Sequence, residues 1–135
     1  MKVIMHSNSI AEARRYLGNA REILKNKGGN GVPGYYSDAK YVKMACNTAW
    51  SGVLVALDAL VPAPINGKRK SVEQYQTYLA KRNKKTLNDF VSAYHYLHLL
   101  GGYDGDLNKN TAKTGLTLAE TIIHWCEKNI PTRVQ

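Results

Sequence analysis

An all-α fold is expected for this chain: an up-and-down bundle of four long helices plus one short helix, in a single domain over residues 1–135. Three observations lead there. The segment from Ser37 to Val61 reads as one helix with two apolar stripes, the segments on either side carry seams at helical spacing, and no strand pattern occurs. Val42, Ala45, Ala49, Gly52, Ala56 and Ala59 form a seam of small side chains, with Cys46, Trp50, Val53, Leu57 and Leu60 as a bulky seam beside it. At about 100° per residue the two stripes cover more than half the helix, too wide for a surface helix. This helix must be central, and its small seam lets one neighbouring backbone come close.

The first helix is expected to begin at Ser9, where Ser9 and Glu12 have capping-box spacing. Ile10, Ala13, Leu17, Ala20 and Leu24 give its seam, and Gly28 and Gly29 end it. The central helix opens at Ser37 or Asp38 and is stopped by Pro62 and Pro64. Ser71 and Gln74 form a second capping-box pattern, opening a short helix with Tyr75, Tyr78 and Leu79 on its apolar side. A break is expected near Asn83, because a single helix over 72–100 is too long for this domain; Thr86 with Asp89 then caps the next start. That helix shows Phe90, Ala93, Tyr94, Leu97 and Leu100 on one face and ends at Gly101 and Gly102. The last carries Ala112, Leu116, Ala119, Ile123 and Cys126, with Pro131 beyond it. No alternating run of β-branched residues lies between turn residues.

Hydrophobic residues make up 44% and charged residues 21%, a globular rather than a disordered balance. The formal net charge of +9 favours acidic partners and also aids solubility. Cys46 and Cys126 both fall on apolar faces, which suits two buried thiols in a reducing compartment. The longest uncharged stretch, Met44 to Leu57, contains Asn47, Thr48 and Ser51 and is too short and too polar to span a membrane. The start lacks the apolar run of a signal peptide, and a cytoplasmic protein is expected.

Several motifs invite a reading and lose it on inspection. Residues 29–34 match G-x-G-x-x-G, but a helix rather than a strand enters them, so they are read as a flexible connector. Asp104-Gly105-Asp106-Leu107-Asn108 opens like a calcium loop, yet Lys109 stands where the turn glycine belongs and Gly115 where the bidentate glutamate belongs. No Glu-x-x-His pair exists for a bundle metal site, and Glu120 with His124 is an ordinary one-turn pair. No serine, cysteine or threonine has a base placed by a recognisable motif. No catalytic residue, metal ligand or cofactor is assigned.

Two regions stay as candidates. Residues 66–85 carry seven basic side chains, Lys68, Arg69, Lys70, Lys81, Arg82, Lys84 and Lys85, against Glu73 alone. That density suits phosphate contacts, with Tyr75 and Tyr78 between the clusters as stacking platforms; the plain alternative is a solvated loop whose tyrosines face the core. The stretch 94–105 is the densest in aromatic residues and histidine. On a helical wheel His98 falls beside Tyr94 at the edge of the apolar face, while His95 points away. A ligand or turn site is therefore sought at Tyr94, His98, Tyr103 and Asp104.

The order of helices, the Ala-Leu-Asp-Ala-Leu end of the central helix and the 97–105 stretch resemble a small bacterial family of unknown function. Its arrangement is similar to the HEPN superfamily of helical bundles. That resemblance implies an association with nucleotidyltransferase partners and a homodimer formed through bundle helices. HEPN ribonucleases leave four to six residues between an Arg and the His that follows it; here the corresponding positions hold Asn88, Asp89 and Phe90 before His95, Val91, Ser92 and Ala93 before His98, and Thr117, Leu118 and Ala119 before His124. The ribonuclease role is therefore not carried over. The expectation is a non-enzymatic binding or assembly module, with direct RNA or DNA binding as the alternative and divergent ribonuclease activity behind it.

Overall fold

The computed structural model describes residues 2–64, 68 and 70–131, and among these residues it is all-helical, with no strand. Helix α1 spans Lys2–Lys27, α2 Ala39–Asp58, α3 Val72–Ala80, α4 Lys84–Ala93 and α5 Lys109–Asn129; between α4 and α5, residues Tyr94–Tyr103 continue α4 as a π-helix. α2 is central as expected, packing against α1, the π segment and α5, while α1 also touches α5 and α4 carries α3. Its small seam is buried from Val42 to Ala56. At Gly52 a Cβ would sit 3.0 Å from the Ala13 carbonyl of α1 and 3.1 Å from Tyr16 Cβ, so the backbones meet there.

Local chemistry explains most boundaries. The Asp38 carboxylate caps α2 by accepting from Lys40 N–H at 3.1 Å. Ser71 and Gln74 form the full capping box of α3, with Ser71 N–H donating to Gln74 Oε1 at 2.7 Å. The break near Asn83 is present, but the cap differs from the expected pair. Asn83 Oδ1 accepts from Thr86 N–H at 2.9 Å, and Thr86 itself is buried. The start of α1 is also corrected. It lies at Lys2, with Ser9 inside the helix and Glu12 paired to Arg15 one turn on. Nothing between Lys2 and Asn8 is a proline or glycine, so no residue interrupts the helix before Ser9.

The helix ends one residue past Gly101 and Gly102, at Tyr103, but the two glycines do more than mark its end. They are buried within the π segment, where a Cβ on Gly101 would collide with the Cys46 side chain and one on Gly102 with the Asn47 amide. Asn47 Nδ2 donates to Gly102 O at 3.2 Å across the same contact. The wider π turn lets two consecutive glycines face α2, and the segment closes with Asp104 N–H donating five residues back to Leu99 O at 2.9 Å.

The 28–38 segment is a pinned loop rather than the flexible connector expected. Gly28 O accepts from Ser37 and Asp38 N–H, Tyr36 N–H donates to Leu107 O at 2.8 Å, and Lys109 N–H donates to Gly34 O at 3.0 Å. Gly29 and Gly34 take φ values of +73° and +87° that side chains avoid.

Candidate functional site

Five rings form a row between α2, α3, α4 and the π segment. Tyr75 lies 5.8 Å from Phe90, Phe90 5.3 Å from Trp50, Trp50 5.6 Å from Tyr94, and Tyr94 5.1 Å from His98. Spacings of four along α4 and into the π segment set Phe90, Tyr94 and His98 on one side, where Trp50 meets all three. His98 is half-buried, as its wheel position implied, and its Nδ1 is buried with no hydrogen-bond partner. His95 is exposed and meets Tyr96 edge-on.

Only half of the sought turn site assembles. Tyr94 and His98 are neighbours, but Tyr103 is 77% exposed and Asp104 is exposed beyond the end of the π segment. The carboxylate bonded into the turn is that of Asp106, two residues on from Asp104, which accepts from Asn108 N–H at 3.0 Å and from Thr111 Oγ1 at 2.8 Å. Both carboxylate oxygens of Asp106 thus hold the start of α5, and Gly105 at φ +68° makes the turn.

The two thiols are free and buried. Burial pushes Cys46 up to about 11 and Cys126 up to about 12, so both stay protonated and unreactive at neutral pH. Glu120 does not hold His124; it accepts from Arg14 at 3.0 Å and lies 3.8 Å from Arg21, which joins α1 to α5. Arg14 also reaches Glu127 at 2.8 Å, and these two hydrogen bonds raise its already high pKa.

The basic flank divides into several environments. Lys81, Arg82 and Tyr78 line a cavity of about 700 Å³ against Val61, Pro62 and Pro64. Lys68 and Lys70 line a second, of about 330 Å³, with Asp58 and Tyr75; Ala63 and Pro64 border both. Lys70 is paired with Asp58 at 2.8 Å and Lys85 with Asp89 at 2.8 Å, while Lys84 is exposed. Arg69 lies outside the described residues. Tyr75 faces the core, as the plain alternative had it, buried against Phe90 with its hydroxyl donating to Asp58 at 2.6 Å, and so is no stacking platform. Tyr78 is half-buried, its ring covered by the Arg82 guanidinium at 3.9 Å.

A third cavity, of about 480 Å³, opens between the end of α1, the 28–38 loop and the start of α5. Arg21, Lys25, Asn26, Asn30, Tyr36 and Lys109 are among its lining residues, over Leu24 and Leu116. Lys109 Nζ donates to Asn30 Oδ1 at 2.9 Å and stands 5.2 Å from the Tyr36 ring centre. Burial, then the nearby Cys46, holds the Tyr36 hydroxyl above its ordinary pKa, so it remains a neutral donor.

A family model for a domain of unknown function, DUF5618, matches residues 8–128. The chain belongs to this family. It is also similar to a solved structure described as a protein of unknown function from Dyadobacter fermentans, at 48% identity and a TM-score of 0.85, over 90% of this chain and 96% of that one. No curated protein matches the chain.

In this DUF5618 chain the third cavity is the feature that sequence reasoning missed. Its cations come from two helices far apart in the chain, Arg21 and Lys25 from α1 and Lys109 from α5, so no local spacing joins them. The available signal was the glycine pair. A Cβ at Gly28 would strike the Tyr36 ring, and one at Gly29 the Ser37 hydroxyl, so these glycines set where Tyr36 stands.

Proposed function

We propose that this DUF5618 chain is a single-domain, non-catalytic assembly module of the bacterial cytoplasm, an up-and-down, HEPN-like bundle that pairs with a second copy of itself. The outer face of α2 carries this reading. From Met44 to Leu57 the chain has no charged residue, although the whole molecule bears +9. Two copies repel wherever their lysines meet, and an uncharged stripe is where they can approach. Met44, Ser51 and Asn47 are exposed on that face, Thr48 and Val55 are half-buried, and Met44 is 44% accessible.

Sedimentation should give twice the 15.0 kDa chain mass, and Met44→Lys with Ser51→Lys should return the monomer without altering helix content. A wild-type chain that sediments strictly as a monomer overturns the pairing. The further proposal of a nucleotidyltransferase-type partner rests on the HEPN resemblance. A nucleotidyltransferase gene next to this one whose product co-purifies with the chain would support it.

Nucleic-acid binding through the α3 flank is the second reading, favoured by the adjoining cavities that carry Lys68, Lys70, Lys81 and Arg82. Changing Arg82, Lys84 and Lys85 together to Ser should weaken RNA or DNA binding and flatten its salt dependence. Absence of any complex at low salt ends this reading. Cleavage is not proposed, because no residue pair there supplies an acid and a base.

A further inference from the structure

We propose that the cavity between α1, the 28–38 loop and α5 binds a small organic phosphate, with the cations on the phosphate and Tyr36 against the organic part. The proposal is independent of the assembly reading. At about 480 Å³ the cavity falls in the range of small-molecule sites.

Charge is the first argument. Arg21, Lys25 and Lys109 line the cavity, and among the described residues no carboxylate lines it with them. Among the described residues Lys109 meets neutral groups alone, the Asn30 amide oxygen at 2.9 Å and the Tyr36 ring at 5.2 Å. Arg21 has a long 3.8 Å contact to Glu120, whose other oxygen already accepts from Arg14 at 3.0 Å. Three cations converging from two helices repel one another, and a dianion placed among them removes that repulsion while accepting charge-assisted hydrogen bonds. A phosphomonoester supplies both the double charge and enough acceptor oxygens for three donors.

Preorganisation is the second. The loop is pinned to the start of α5 by main-chain hydrogen bonds between Tyr36 and Leu107 and between Lys109 and Gly34, its ends are tied where Gly28 O accepts from Ser37 and Asp38 N–H, and Gly28 leaves the space that the Tyr36 ring occupies. The cavity wall is therefore built before any ligand arrives. Leu24, Leu116 and the Tyr36 ring supply apolar contact beyond the cations, which inorganic phosphate cannot use.

Calorimetric titration of the full chain with adenosine 5′-monophosphate, ribose 5-phosphate and inorganic phosphate tests this. The monophosphate ester with the larger organic part should bind tightest, and its affinity should fall as salt rises. Lys25→Gln, which breaks no hydrogen bond or ion pair among the described residues, should weaken it by about tenfold or more, as should Lys109→Gln. Circular dichroism on Lys25→Gln should match the wild type, so a loss there reports the site rather than the fold. Lys128→Gln, exposed at the opposite end of α5 from Lys109, should leave binding unchanged. Equal affinity for inorganic phosphate and the nucleotide overturns the organic-ligand claim. Failure of all three probes to bind, or binding that survives Lys25→Gln and Lys109→Gln, overturns the site.

Discussion

Phe90→Ala should cost about 3–5 kcal/mol, because it removes a fully buried ring and leaves a cavity that rigid neighbours cannot fill. Phe90 stands between Trp50 of α2 at 5.3 Å and Tyr75 of α3 at 5.8 Å, so one side chain joins three helices. A domain of ordinary stability holds about 5–15 kcal/mol, and this loss would leave it close to unfolding. Urea denaturation followed by tryptophan fluorescence measures it as a lower midpoint at unchanged slope. The first helix to loosen should be α3. At nine residues it is too short to persist by propensity, and Tyr75 and Leu79 are its buried anchors. Amide exchange in 72–80 should therefore accelerate beyond that in α5. A midpoint shift worth less than about 1 kcal/mol would mean that the row of rings is peripheral to stability.

How much was legible in the sequence depended on whether a feature is local. The α3 capping box involves Ser71 and Gln74 alone, and it formed as read. Seams were equally plain, since burial from Ile10 to Leu24 and along α2 repeats the spacing of the letters. The same cap pattern misled at Ser9, because a serine followed by glutamate also occurs inside helices when nothing breaks the chain before it. Asn83 and Thr86 are three apart, as are Thr86 and Asp89, and spacing alone did not decide between them. Tyr75 and Tyr78 share one short helix, yet their fates differ through contacts that come from α2 and α4. The third cavity depends on residues as far apart as Arg21 and Lys109, and only the folded chain brings them together.

Glycine was the residue most open to misreading, and it provides the sharpest test. Two glycines inside helical segments should respond in opposite directions to the same added methyl group. At Gly18, exposed in α1, a new Cβ has nothing within 4 Å, so Gly18→Ala should stabilise by about 0.5–1 kcal/mol through the lost freedom of the unfolded chain. At Gly101 the same methyl would overlap Cys46 Sγ and approach its Cβ to 2.7 Å. Cys46 lies on the central helix with no exposed side to turn towards, so the π segment must move away from α2. Gly101→Ala should therefore cost about 1–3 kcal/mol despite alanine's better helix propensity. Pairing it with Cys46→Ala removes the obstructing sulfur, and the double variant should recover part of the loss, a coupling that two independent sites would not show. Thermal unfolding of the four variants decides it. If Gly101→Ala melts no lower than the wild type, α2 and the π segment are not in the close contact that two adjacent glycines permit, and the pair is a helix terminator after all.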